Sequence, residues 1–179
     1  MALTSTSYTF EVDLSDIDRG QYAAFTVRLA CHPSETDEHL LARLLAYVLE
    51  YDEGIRVLAT GLSTGHDPSL WIEDLTGRRT VWIDVGAPDP DRVHRASKAS
   101  ERVAIYCHKD PKGMLAALAA ANVHARDRVT ITELDRPFIA ALAAVLDRRL
   151  KLAVTVTDAT LFVDVAGQSL TAPLVRHTI

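Results

Sequence analysis

Cysteine is scarce in this chain. Cys31 and Cys107 are the only two in 179 residues, too few and too scattered for a disulfide framework or a zinc site. That scarcity points to a reducing, cytoplasmic setting. No apolar run is long enough to cross a bilayer, so no membrane partner is expected. No charged-then-apolar leader opens the chain; Met1-Ala2-Leu3-Thr4 runs straight into a strand pattern. Positive charge is also lacking: the formal net charge of −5 argues against a dedicated nucleic-acid binder, because phosphate affinity comes from cations. Internal repeats, low-complexity tracts and linkers are absent. A small-molecule hydrolase built on His32, His66 or Cys107 finds no support in a nucleophile-elbow or Cys-His spacing.

What remains is ordinary globular composition, long enough for one domain over residues 1–179 with a substantial core. Tyr8, Phe10, Val12 and Leu14 alternate with polar residues, as do Ala23, Phe25, Val27 and Leu29. Both segments read as half-buried strands forming a meander at a sheet edge. Pro33-Ser34 opens a long helix, with Ser34 expected as N-cap and Asp37 in a capping-box position. Leu40, Leu41, Leu44, Leu45, Val48 and Leu49 form its apolar stripe, and Gly54 ends it. A segment from Arg56 to Thr60 precedes a Gly-rich loop with Gly61 and Gly65. Strands are expected near Leu70 to Leu75 and, after the Thr76-Gly77 turn, over Val81 to Val85. Helices near 91–100, through Leu115 and Leu118, and over 136–146 alternate with strands over 103–107 and 129–132. A terminal hairpin, 152–157 and 161–165, closes the chain. The fold class expected is α/β (α+β), a mixed sheet flanked by helices.

The residue with most chemical content is Asp84, a lone carboxylate in the apolar run Val81-Trp82-Ile83-Asp84-Val85. An ionised Asp in a buried strand is costly unless a metal or hydrogen-bond donors compensate it. Asp67 precedes the neighbouring strand, Glu35 and Glu38 head the first helix, and Arg95 and Lys98 follow on the next. Carboxylates gathered beside a strand end can hold Mg²⁺ or Mn²⁺, which activates water, while a cation stabilises the developing charge. In that arrangement Asp84, Asp67 and Glu38 would be metal ligands, with Glu35 an alternative helix acid and Lys98 or Arg95 the charge stabiliser. Each has an ordinary structural explanation. Asp84 can hydrogen-bond a loop or cap a helix, Asp67-Pro68 can start a turn, Glu35 and Glu38 suit a helix N-terminus, and Arg95 and Lys98 suit a solvated face. Arg92 and Arg102 are expected on a solvated face with alternating ion pairs.

The strings Ala30-Cys31-His32-Pro33-Ser34-Glu35-Thr36, Arg43-Leu44-Leu45-Ala46, Gly61-Leu62-Ser63, Leu70-Trp71, Trp82-Ile83-Asp84-Val85-Gly86 and Pro88-Asp89 resemble those of the YaeQ family over essentially the whole chain. The resemblance implies a compact variant of the PD-(D/E)xK, restriction-endonuclease-like fold, and by fold likeness a Mg²⁺-dependent nuclease acting on DNA or RNA. Three departures stand out. Gly86 occupies the position of the usual strand Lys, Arg95 stands where the family's helix Lys is expected, and Pro68-Ser69 replaces a Pro-acid pair. Arg is a poor proton acceptor, which leaves Lys98 a rival to Arg95. The alternative is a non-catalytic binding or regulatory module with a protein or nucleic-acid partner, favoured by the acidic net charge and the missing strand Lys.

Overall fold

The computed structural model describes residues 5–59, 61 and 66–179. The N-terminal tetrapeptide, Thr60, and residues 62–65 of the expected Gly-rich loop lie outside the described residues.

Two sheets are present where one was expected. The first takes the order β10-β9-β8-β1-β2, from β1 (Thr6–Asp16), β2 (Gln21–Cys31), β8 (Arg149–Thr157), β9 (Thr160–Val165) and β10 (Gln168–Pro173). β1 pairs antiparallel with β2 along its full length and parallel with β8, so the N-terminal meander and the C-terminal hairpin join into one sheet. The second sheet has the order β11-β7-β6-β5-β4-β3. Its members are β3 (Ile55–Val57), β4 (Leu70–Glu73), β5 (Arg79–Val85), β6 (Arg102–Cys107), β7 (Val129–Glu133) and β11 (Val175–Thr178). β5, β6 and β7 run parallel. Periodicity along a strand shows which residues share a face, but not which sheet the strand joins.

The helices α1 (Asp37–Leu49) and α4 (Arg136–Ala144) lie between the two sheets, while α2 (Pro90–Ala99) and α3 (Lys112–Ala120) cover the far face of the second. The larger core joins Phe10, Leu29, Leu41, Leu45, Ile83 and Phe138. The smaller joins Trp82, Val93, Ile105, Leu118 and Ile131. β5 therefore sends Val81 and Ile83 to α1's side and Trp82 to α2's side, as alternation requires. Asp84, two residues after Trp82, faces α2 as well.

Several local expectations are corrected. Thr36, not Ser34, caps α1, its Oγ1 accepting from the His39 N–H, and α1 stops at the Glu50 C-cap rather than at Gly54. Arg92 is largely buried against Asp84, and Arg102, on β6 rather than a helix, is partly exposed but paired with the buried Glu50. Arg102 donates to Glu50, 2.5 Å, and the buried Tyr106 hydroxyl donates to the same carboxylate, 2.9 Å. Burial and the Glu50 charge push the Tyr106 phenol well above its ordinary pKa. Two C-terminal strands, β10 and β11, were not expected. The β8–β9 turn holds Asp158 and Ala159 at positive φ, and their amides are bound by Asp18 at 2.8 and 2.9 Å. A carboxylate from the first hairpin thus secures a turn that places two non-glycine residues in the left-handed region.

Candidate functional site: two faces of one sheet

Asp84 is 2% exposed and fully engaged. The Arg92 guanidinium clamps it in two parallel bonds, Nε to Oδ2 and Nη2 to Oδ1, both 2.7 Å. The Trp82 indole N–H donates to Oδ2 at 2.9 Å. Arg92 begins one turn into α2, whose N-cap Asp89 holds the Arg92 N–H at 2.8 Å; Pro90 at the helix start suits that first turn. Arg92 also donates to the Asp67 carbonyl, 3.0 Å, and the Asp67 carboxylate meets Arg79 at 3.5 Å. Arg79 lies between the rings of Trp71 and Trp82, with Arg92 on Trp82 as well. Two arginines, two tryptophans and two aspartates therefore form one interlocked stack.

The α1 face is built differently. Glu35, in the turn before α1, has a fully buried carboxylate gripped by Arg43 through Nε at 2.7 Å and Nη2 at 2.9 Å. The His39 Nδ1 lies 2.7 Å from the same carboxylate. Burial alone would raise the Glu35 pKa, but hydrogen bonds from His39 and Arg43 pull it below the ordinary value. Arg43 is itself wholly buried, bonds the Ala30 carbonyl at 2.6 Å, and leaves its Nη1 without a partner. His39 meets the ring of His108 edge-on, with centroids 5.6 Å apart. His108, just beyond β6, is 7% exposed, and its Nδ1 has no hydrogen-bond partner. Burial first, then the charges of His39 and Lys109, lower its pKa to about 4 against the opposing pull of Glu38.

Two adjoining cavities open here. One, of about 310 Å³, is lined by Ser34, Glu35, His39, Gly86 and His108. The other, of about 690 Å³, is lined by Glu38, Lys109, Arg136, Pro137, Ile139 and Ala140, and both share Thr36, His108 and Lys109. The crevice thus runs past the carboxyl ends of the parallel strands β5 and β6, where open α/β sheets commonly take ligands.

The expected carboxylates do not converge. Asp84 and Asp67 meet at Arg92 on the α2 side, whereas Glu35 and Glu38 stand across the sheet on the α1 side. Glu38 lines the crevice, but Glu35 is held by Arg43 and His39. Arg95 and Lys98 lie on the exposed side of α2, and the helix cation that reaches Asp84 is Arg92. Gly86 adopts a φ of +103°, a conformation that a Lys side chain at the strand-lysine position would strain. Among the described residues, no group of three or more His, Cys, Asp or Glu is placed to hold a metal ion. Mg²⁺ needs several open oxygens in near-octahedral array, whereas Asp84 Oδ2 already accepts two hydrogen bonds and Oδ1 one, three of them in all. The residues as placed do not fit that ion. Cys107 is buried in β6, in the core position a free Cys ordinarily takes.

The residues that sequence reasoning missed are Arg92 as the Asp84 partner, Arg43, His39, His108, Lys109 and Arg136. Some signals were available. Arg43 interrupts the apolar stripe of α1, and His39 stands four residues after Glu35 at helical contact spacing.

A model described as YaeQ protein matches residues 1–174. The chain is 29% identical over 171 residues to a Salmonella typhi protein described as "Uncharacterized protein YaeQ", covering 95% of this chain and 94% of that one. It is equally identical over 165 residues to the Escherichia coli (strain K12) protein of the same description, covering 88% and 87%. The crystal structure of the YaeQ protein from Pseudomonas syringae superposes with a TM-score of 0.87 at 32% identity, covering 98% of this chain and 96% of that one. That of the YaeQ protein from Xanthomonas axonopodis pv. citri gives 0.86 at 34% identity, covering 98% of each. With the two-sheet, four-helix architecture shared along almost its full length, this chain belongs to the YaeQ family.

Proposed function

We propose that this chain is a binding module that uses the crevice between α1, α4 and the ends of β5 and β6. One observation carries the reading: the strand carboxylate Asp84 is closed by Arg92 and Trp82, while the open polar groups line the crevice on the opposite face of the sheet. A buried carboxylate already neutralised by a bidentate arginine must lose that partner before it can serve a cation well. The crevice combines cations, imidazoles and an apolar wall of Pro137, Ile139 and Ala140, the mixture that ligand sites use for orientation and affinity.

The restriction-endonuclease-like, Mg²⁺-dependent nuclease reading has one observation in its favour. Arg92, a cation from the following helix, reaches the Asp84 carboxylate and the Asp67 main-chain carbonyl, which draws both residues to one place on the α2 side. The two readings are separated by titrating MgCl₂ and MnCl₂ into the protein by calorimetry and incubating it with single- and double-stranded DNA and RNA. The binding-module reading expects no saturable heat and intact substrates. Saturable metal binding together with cleavage, both lost in Asp84→Asn protein that still folds, would replace it with the nuclease.

A further inference from the structure

We propose that β2 is a docking edge for a second copy of this chain, the two β2 strands pairing antiparallel about Phe25 and joining their five-stranded sheets into one. The surface lies outside the crevice, and the inference does not rest on the binding-module reading. β2 differs from the other sheet edges, β3, β10 and β11. β3 spans three residues and β11 four, and β10 ends at Pro173. β2 runs for eleven residues, QYAAFTVRLAC, without Pro or Lys and with Arg28 as its single charge. Edge strands are ordinarily kept short, or guarded by proline, charge or a covering element, because their main chain can pair with another strand. From Tyr22 to Arg28 this edge carries little such guard.

The direction of its main-chain groups follows from β1. The Thr9 N–H donates to the Arg148 carbonyl at 2.9 Å, on the β8 side. Thr9 stands opposite Arg28, so that pair is a non-hydrogen-bonded one, and the Arg28 N–H and carbonyl point away from β1. The register is unbroken, so the same holds for Tyr22, Ala24 and Thr26. Ala30, next in the series, agrees: its carbonyl is reached from outside the ladder by Arg43 Nη2 at 2.6 Å. Tyr22, Ala24, Thr26 and Arg28 are all exposed. Among the described residues, their outward N–H and carbonyl groups have no hydrogen-bond partner.

The edge is complementary to itself. Pairing about Phe25 matches Tyr22 with Arg28 of the second copy and Ala24 with its Thr26. Every outward donor and acceptor from Tyr22 to Arg28 then finds a mate, and Ala30, already held by Arg43, is left out. Pairing about Ala24 leaves Arg28 unmatched, and pairing about Thr26 sets Tyr22 against the occupied Ala30. The side chains favour the same register. Tyr22 and Arg28 share the exposed outer face, so the guanidinium of one copy meets the Tyr22 ring of the other, twice by symmetry. Tyr22 is 65% exposed, and this contact covers it. On the inner face Phe25 is half-buried and stacked on Tyr51, with centroids 4.1 Å apart. Opposed to Phe25 of the second copy, it forms the cross-strand aromatic pair that stabilises sheets.

Sedimentation equilibrium of the full chain from about 1 to 100 μM tests the pairing. The parent is expected to show a reversible monomer–dimer equilibrium within that range. Thr26→Pro removes an outward donor without touching the ladder to β1. It should keep the parent's circular dichroism and weaken association about tenfold or more. The register is tested at Tyr22. Tyr22→Arg sets like charges against Arg28 and Tyr22→Glu sets opposite ones, so the Glu variant should dimerise about tenfold more tightly than the Arg variant. A parent that stays monomeric throughout overturns the inference, as does a folded Thr26→Pro protein that dimerises like the parent. Should Thr26→Pro not fold, the exposed Tyr22 variants decide alone: equal association by the two overturns the pairing about Phe25. None of these outcomes bears on the binding-module reading, which stands or falls on the divalent-ion and cleavage assays.

Discussion

The two faces of the second sheet spend their charged residues in opposite ways. On the α2 side, Asp84, Asp67, Arg79 and Arg92 are consumed by one another and by two tryptophans. On the α1 side, a deep Glu35–Arg43 pair orients His39, and beyond it Glu38, His108, Lys109 and Arg136 line open space. Both faces contain buried carboxylates gripped in two bonds by an arginine, so a buried charge alone does not distinguish scaffold from site. What distinguishes them is whether polar atoms are left over. The α2 stack leaves neither Asp84 oxygen without a bond, whereas the α1 side leaves a buried His108 nitrogen unpaired and two cations without carboxylate partners among the described residues.

The comparison is most severely strained by removing the deeper clamp. Arg43→Met strands the buried Glu35 carboxylate, and breaking a buried pair in this way costs about 3–5 kcal/mol. Urea unfolding should show that loss, together with altered shifts at His39, whose orientation depends on Glu35. The α2 clamp should behave as a smaller version. Arg92→Met is expected to cost about 3 kcal/mol, since Trp82 alone remains to bond Asp84, whereas Arg92→Met with Asp84→Leu should recover most of it. A double-mutant cycle measures the coupling. Additive effects would show that the two side chains do not act as a pair.

Acid also separates the two faces. Folded His108 takes its proton only near pH 4, whereas an unfolded imidazole takes one near about 6.5. Between those values the unfolded chain holds more protons, so stability falls as the pH falls through that window. The contribution is complete above the unfolded value and gone below the folded one. Glu35 has the same sign at more acidic pH: its lowered pKa stabilises the fold above the ordinary carboxylate range, and that stability is lost as the pH drops through the lowered value. Unfolding free energies measured by urea denaturation from pH 7 to 4 should decline in the parent, by about 2–3 kcal/mol from His108. They should decline less in His108→Asn. The smallest effects are expected at Arg95 and Lys98, exposed on α2, where substitution by Ala should change stability by less than about 0.5 kcal/mol.

Much of the fold was legible because it depends on period and punctuation. The two alternating N-terminal strands, the Leu stripe of α1, the apolar run of β5 and the Pro-led α2 all follow from side-chain spacing and helix-start chemistry. The division into two sheets was not, because which strands pair is decided by long-range packing. β10 was missed although Leu170 and Ala172 alternate with Ser169 and Thr171, because the run is short and ends at Pro173; β11 was missed because Arg176 and His177 give it no apolar face, and the two strands are held by pairing with β9 and β7. In the candidate site, the sequence marked Asp84 as a buried charge needing a partner, which it is. The partner was misjudged because Arg92, one turn into α2, looks like any solvated helix cation until the helix is docked on the sheet. Expecting Glu38 and Glu35 to join Asp84 failed for a simpler reason. Asp84 shares the parity of Trp82, and that places it on the face away from α1.

The proposed reading turns on Arg92 holding the Asp84 carboxylate where the nuclease reading would place a divalent ion. The most direct measurement is anomalous diffraction from crystals of the protein soaked in Mn²⁺. The expected result is no anomalous peak between Asp84 and Asp67, with both Arg92–Asp84 bonds intact. A peak coordinated by those two carboxylates, with Arg92 swung away, would contradict the account.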